Sequence, residues 1–279
     1  MITPQMVKDL REKTGAGMAD CKKALDETQG NMQEAIEYLR KKGAASIAKR
    51  ADRSANEGLV IAKTTENGKQ GSLIEANCET DFVARNEEFV AFANAIADCV
   101  LSSGLTNDDV WNCNIGDKTL GNLRDEILAK FSERIEVRRM EFFVTEGSLT
   151  PYNHAGNKLA VMLEMSVAAS DDKAQGFMRD ISMQIAAMNP LYVDRNFVSQ
   201  EALNKEIEIY REQALNEGKK PEIADRIAQG RVEKYYQETC LVEQSFVKDG
   251  NKTVADVVKE IGADAKVVKF RRFFLGEQI

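Results

Sequence analysis

An internal repeat restricts the fold of this 279-residue chain more than any other feature. The segment LIEANC (73–78) resembles MLEMSV (162–167) at an offset of 89, and Phe89, Ala93 and Ala97 match Phe177, Ile181 and Ile185 at an offset of 88. A strand followed by a helix therefore occurs twice. A second pairing, VRRMEFFVTE (137–146) with VKFRRFFLGE (268–277), stands at an offset of 131, which leaves 43 residues of the second copy without a counterpart. Residues 198–240 fill that gap and carry their own pattern: Leu203, Ile207, Tyr210 and Ala214, then NEGKKP, then Ile223, Ile227 and Tyr235. Spacings of three and four on both sides of a Gly and Pro turn predict an antiparallel helical hairpin inserted into the second copy. In the first copy GLVIAKT and GSLIEANC flank TENGKQ, a hairpin signal. The fold class is thus α+β, with similar subdomains at 56–147 and 148–279 and a projecting arm at 198–240.

Ahead of the repeat the chain reads as three short helices. Thr3 caps the first with Pro4 in its opening position, TGAG ends it, a second spans MADCKKALDET, and Asn31 caps MQEAIEYLRKKG. Each apolar face is narrow, so the three share one small core whose expected members are Val7, Leu10, Ala24, Leu25, Ile36 and Leu39. The small and charged residues of AASIAKRADRSANEG break the pattern and predict a linker. Residues 1–55 then form a separate helical module.

The hydrophobic share of 43% and charged share of 30% are those of an ordinary folded, soluble chain. No run approaches the roughly 18 apolar residues of a spanning helix, and residues 1–10 resemble neither a signal nor a transit peptide. Cys21, Cys78, Cys99, Cys113 and Cys240 are odd in number and contain no CxxC pair, which predicts free thiols in a reducing compartment, the cytoplasm. A net charge of −7 disfavours nucleic acid as a partner, since grip on phosphate backbones needs clustered Lys and Arg. The 11 basic and 8 acidic groups of residues 1–55 are a mild local surplus that a solvated surface accounts for.

Catalytic hardware is sparse. The one histidine, His154, sits in the polar loop PYNHAGN, so zinc or iron sites needing several His are excluded. Neither a G-x-S-x-G nucleophile elbow nor a P-loop motif occurs, and GAGMAD lacks the last glycine of a dinucleotide fingerprint and follows a helix. No catalytic residue, metal ligand or cofactor site is assigned. An enzyme using unmarked carboxylates or a bound cofactor, and a plain adaptor whose helical module binds peptides or nascent chains, stand as alternatives to a factor that embraces a large partner at several points.

The stretch CETDFVARNEEF (78–89) poses the sharpest question. Phe82, Phe89 and Ile96 are seven residues apart and would share one helix face, which makes Phe82 core. Asn86 followed by Glu87 and Glu88 is instead a good helix start, which leaves Phe82 in the approaching loop. Pattern alone leaves both readings standing.

VKDLREKTGAGMADCKKAL, ANCETDFVARN, YNHAGN, MQIAAMNP, VEQSFVKDGNKTVADVVKE and RRFFLGE resemble, in order and over nearly the whole chain, the bacterial translation elongation factor Ts family. The resemblance implies a guanine-nucleotide exchange factor for elongation factor Tu, acting by protein binding and not as an enzyme. It also implies a module of ubiquitin-associated type, a two-subdomain core and a coiled-coil arm. It places Thr80, Asp81, Phe82 and Val83 in a loop that intrudes beside the nucleotide site of Tu and helps dislodge magnesium, which makes Phe82 a wedge. It places Arg11, Met18 and Ala19 on the module's contact surface, Ala19 standing where a methionine is frequent, and His154, Phe246 and Val247 against a β-barrel domain of Tu. A dimer or a Tu–Ts heterotetramer is among the assemblies it allows, and a C-terminal helix found in some members is expected to be absent.

Overall fold

The computed structural model describes residues 2–14, 16–50, 52–169 and 171–278, with the backbone alone at 40 and 42–49. It opens with helices α1 (Pro4–Thr14), α2 (Met18–Glu27) and α3 (Met32–Arg50). Thr3 Oγ1 accepts from Met6 N at 3.2 Å, and Asn31 Oδ1 accepts from Gln33 N at 3.1 Å, so both expected caps are in place. Val7, Leu10, Ala24, Leu25 and Leu39 are buried together with Cys21 and Ala35, and the half-buried Ile36 packs against them.

One expectation fails here. The stretch read as a linker from residue 44 is helical as far as Arg50, because Gly43 does not stop a run that continues with Ala44, Ala45 and Ala48. Alanine has the highest helix propensity, and one glycine costs only about 1 kcal/mol. The helix is also tied down at its end, where Arg50 Nη1 donates to the carbonyls of Phe131 (2.9 Å) and Glu133 (3.0 Å).

Next come strands β1 (Glu57–Thr64) and β2 (Gln70–Cys78), the single turn α4 (Asp81–Ala84) and the long helix α5 (Glu87–Ser103). The short hairpin β3 (Asn114–Ile115) and β4 (Lys118–Thr119) leads into α6 (Leu120–Lys130) and β5 (Glu136–Val144). The plan then recurs with β6 (Ser148–Asn153), β7 (Leu159–Met165) and α7 (Asp172–Met188). Helices α8 (Gln200–Asn216) and α9 (Pro221–Thr239) intervene before β8 (Ser245–Phe246), β9 (Asp249–Thr253), α10 (Val254–Ile261) and β10 (Val267–Phe274). The sheets are antiparallel and ordered β1-β2-β5 and β6-β7-β10. Thr119 with Asn122 and Thr253 with Asp256 form capping boxes at the starts of α6 and α10, so the repeat extends to helix entry.

The strands carry apolar residues on both faces because both faces are covered. Leu59, Ile61, Ile74 and Ala76 meet Phe89, Phe92 and Ile96 of α5, whereas Val60, Ala62, Leu73 and Phe143 meet Leu149, Ala160, Met162 and Phe273 of the other sheet. Gly71 permits this close approach, since a Cβ there would lie 2.9 Å from Met162 Cε. A buried charge joins the two halves. Glu75, with no exposed surface, pairs with Arg139 at 2.6 Å and Arg138 at 3.4 Å and accepts from Gly276 N, just beyond β10, at 2.9 Å. Burial pulls its carboxyl upward, but hydrogen bonds from Gly276, Asn77 and Arg139 together hold it below its ordinary 4.5.

Helices α8 and α9 pack on one another through a seam of small residues. Ala214, Ala224 and Ala228 are buried, and Arg211 pairs with Asp225 at 2.5 Å across the seam. Ile223, expected in that seam, is 48% exposed, because the register turns Ala224 inward in its place. The two ends meet at the base, where Leu191 N donates to Thr239 O and Leu241 N to Tyr192 O, both at 2.9 Å. Among the described residues no helix is long and apolar enough to cross a membrane.

Candidate partner-binding site

The chain leaves β2 at Cys78 and forms the one-turn α4 before α5 begins. Thr80 Oγ1 accepts from Val83 N at 3.4 Å and caps the turn. Its hydroxyl also donates to Glu133 Oε1 at 2.6 Å, and Glu133 Oε2 accepts from Glu79 N and Thr80 N at 3.0 Å each. Inward, Val83 and Ala84 are buried in the core beside α5. Outward, Phe82 is 84% exposed, the most exposed of the large hydrophobic side chains described. Asp81, beside it, pairs with Arg85 at 3.0 Å.

The core reading of Phe82 therefore fails. Arg85 ends α4, and Asn86 takes extended angles (φ −69°, ψ 132°) to cap α5 by accepting from Glu88 N at 3.0 Å. That break turns Phe82 away from the face on which Phe89 and Ile96 are buried. Val83 serves as the anchor of the turn in this structure, with its side chain facing inward.

Glu79 supports the same turn from below. Its carboxylate accepts from Arg134 N at 2.6 Å and pairs with Arg53 at 3.3 Å. The Arg134 hydrogen bond, with the Arg53 guanidinium assisting, holds its carboxyl below the usual range.

Two other regions present the remaining residues. Arg11, Met18 and Ala19 are exposed, and Met18, 45% exposed, opens α2. His154 is exposed in the turn between β6 and β7, with Nδ1 3.0 Å from the Tyr152 hydroxyl. The hairpin tip is fixed to β1, because Asn153 Oδ1 accepts from Ala62 N (2.8 Å) and its Nδ2 donates to Ala62 O (2.9 Å). Of the pair Phe246 and Val247, Phe246 is buried in the second core and Val247 is 49% exposed. Only Val247 offers a surface.

Sequence reasoning passed over the supports. Buried Gln184 on α7 accepts from Val247 N at 2.8 Å and donates to Gln244 Oε1 and Ser245 O at 3.1 Å, fixing the β8–β9 hairpin. Glu133 does the same for the turn at Thr80. Both lie far along the chain from what they hold, so no local pattern marks them. Met188, Leu191 and Phe197 are further exposed apolar residues leading to the arm.

Among the described residues no group of three or more His, Cys, Asp or Glu could hold a metal ion. The five cysteines are free, and burial pushes the Cys78 thiol up to about 12, with the charges of Glu133 and Glu57 adding to it. Exposed apolar side chains in the helical module, on the turn at Phe82 and beside the sheets are the kind of surface that marks a protein-binding factor. The model of the family Elongation factor TS matches residues 79–277. Elongation factor Ts of Clostridium perfringens is 48% identical over all of this chain and 94% of its own length. The protein of the same name from Chloroherpeton thalassium is 46% identical over 99% of both chains. This chain belongs to the elongation factor Ts family. Its role is nucleotide exchange in translation elongation rather than catalysis.

Proposed function

We propose that this chain speeds GDP release from elongation factor Tu by driving the turn of Asp81 and Phe82 against the magnesium and phosphate site of that GTPase. The observation that carries the reading is Phe82 itself: an aromatic ring 84% exposed on a turn whose next two residues are buried. Monomeric proteins have little reason to hold a large ring in water on a rigid support unless a partner receives it. Asp81 brings a carboxylate to the same place, where it competes for or repels the ligands of a bound cation.

The driving force is reciprocal coupling. A factor that binds empty Tu more tightly than nucleotide-loaded Tu weakens nucleotide binding by the same ratio. An acceleration of 10⁴ to 10⁵ requires about 5.5 to 7 kcal/mol, and burying one Phe supplies roughly 1.5 to 3 kcal/mol. Phe82 therefore acts with other contacts. Arg11, Met18 and Ala19 on the module, and His154 and Val247 on the second sheet's side, hold the factor on Tu while the turn intrudes. The units in this division of labour are the module at 1–55, the two sheet-bearing parts at 56–147 and 148–279, and the arm at 198–240. The place of action is the cytoplasm, where Tu works.

Magnesium dependence tests the mechanism. The chain's acceleration of GDP release is expected to shrink when a chelator strips magnesium from Tu·GDP beforehand, because part of the turn's work has then been done. Equal acceleration with and without magnesium would place the action elsewhere.

A further inference from the structure

The turn that carries Phe82 is too short to hold itself. A single helical turn fixes several dihedral angles for one hydrogen bond, and the cap from Thr80 Oγ1 to Val83 N is long at 3.4 Å. The tighter restraint comes from outside. Glu133 gathers three donors on one carboxylate: the Thr80 hydroxyl at 2.6 Å and the Glu79 and Thr80 amides at 3.0 Å each. Hydrogen bonds to an ionised acceptor are the strong ones, and here all three converge on the two residues that launch the turn. The segment bearing Glu133 is in turn held by the end of the helical module. Arg50 donates to the Phe131 and Glu133 carbonyls at 2.9 and 3.0 Å, Arg53 pairs with Glu79 at 3.3 Å, and Arg134 Nη1 donates to Arg53 O at 2.5 Å.

We propose that Glu133 is a positioning residue for exchange: it fixes the direction in which Phe82 points, and the arginines around it join that direction to the end of α3. This rests on the intruding-turn reading above. An exposed side chain that must enter a partner's site works only in the fraction of molecules that hold it correctly, and lowering that fraction lowers the rate in proportion. Glu133 keeps the fraction high before Tu arrives, so the ordering cost does not fall on the encounter.

Glu133→Ala removes all three acceptor contacts. A competent fraction cut to about a tenth lowers the maximal rate of GDP release about tenfold, while the concentration of Tu·GDP at half-maximal rate stays near its original value, because the module and His154 contacts remain. Glu133→Gln restores most of the rate, since its amide oxygen still accepts from the two backbone amides and its NH₂ can donate to the Thr80 hydroxyl. Thr80→Val removes both the donor to Glu133 and the cap on Val83 N while keeping the shape of the side chain, so it is expected to slow release as well.

The test is a double-mutant cycle in the full chain, read by labelled GDP release and by amide hydrogen exchange. If Glu133 acts through the turn, then Glu133→Ala and Phe82→Ala each slow release, Glu133→Ala slows the Phe82→Ala variant by clearly less than it slows the parent chain, the remainder being what it withholds from Asp81, and the Thr80 and Val83 amides exchange faster in Glu133→Ala. The inference is overturned if the two substitutions slow release by independent factors, if glutamine fails to rescue, or if those amides keep their protection. Loss of effect in Phe82→Ala itself would instead refute the intruding turn, and the positioning role would fall with it.

Discussion

Replacing Phe82 by alanine separates a residue kept for a partner from one that holds the fold. The folded chain leaves 84% of Phe82 exposed, so only about a sixth of its burial energy is in use. Full burial of a phenylalanine contributes roughly 1.5 to 3 kcal/mol, which limits the loss to about 0.5 kcal/mol. In a protein of this size 1 kcal/mol moves the melting temperature by about 2 to 4 °C, and the expected drop is therefore under about 2 °C. A core phenylalanine would cost about 3 to 5 kcal/mol and at least about 6 °C. Exchange behaves the opposite way. If the ring is buried against Tu when the nucleotide leaves, its removal withholds the same 1.5 to 3 kcal/mol from the transition state and slows release about 10- to 150-fold. Asp81→Ala adds to that loss, and its broken pair with Arg85 is an exposed one worth only about 0.3 to 0.5 kcal/mol. Thermal unfolding and labelled GDP release on the same protein give both numbers. A large fall in melting temperature, or unchanged release, would refute the reasoning.

Deleting residues 198–240 is expected to leave a soluble, folded body with at least partial activity, because the chain ends at the arm's base already lie together through Leu191, Tyr192, Thr239 and Leu241; gel filtration showing aggregates would contradict it. Removing residues 1–48, which leaves Arg50 and Arg53 in the chain, is expected to weaken binding to Tu while leaving the maximal exchange rate near that of the full chain. Unchanged affinity by calorimetry would remove the docking role of Arg11 and Met18. Glu75→Gln breaks a buried ion pair and is expected to cost about 3 to 5 kcal/mol at pH 7. Because the folded carboxyl of Glu75 lies below its ordinary 4.5, its contribution is present above that pH and disappears as the pH falls through the folded value. The gap between the two proteins therefore narrows on acidification below 4.5, and a constant gap across thermal melts from pH 7 to pH 3 would contradict the role assigned to this pair.

The matching apolar runs at 73–78 and 162–167 fall on β2 and on the end of β7, the middle strands of the two sheets, which are buried on both faces. The spacing of three and four read at 198–240 falls on α8 and α9, on either side of the turn that carries Gly218. The end of the module was misread at Gly43, since a single glycine weakens a helix without ending it when alanines follow. Phe82 was ambiguous for a geometric reason. A heptad continues a face only while the helix is continuous, and Asn86 interrupts it with extended angles. Thr80, a good cap three residues ahead of Val83, was the signal that a separate turn begins there. Phe246 sits in a two-residue strand, too short for alternation to say which neighbour faces out. Glu133 and Gln184 left no trace, because each fixes a backbone 53 or more residues away and a lone acid or amide carries no period.

The most direct measurement is the release of labelled GDP from Tu with the chain present at about a tenth of the Tu concentration and unlabelled GDP in excess. The account predicts that all of the label leaves, at a rate rising in proportion to the chain added, because each molecule serves many Tu in turn. Release that stops when the chain has been used once, or that matches the rate without it, would contradict nucleotide exchange as its function.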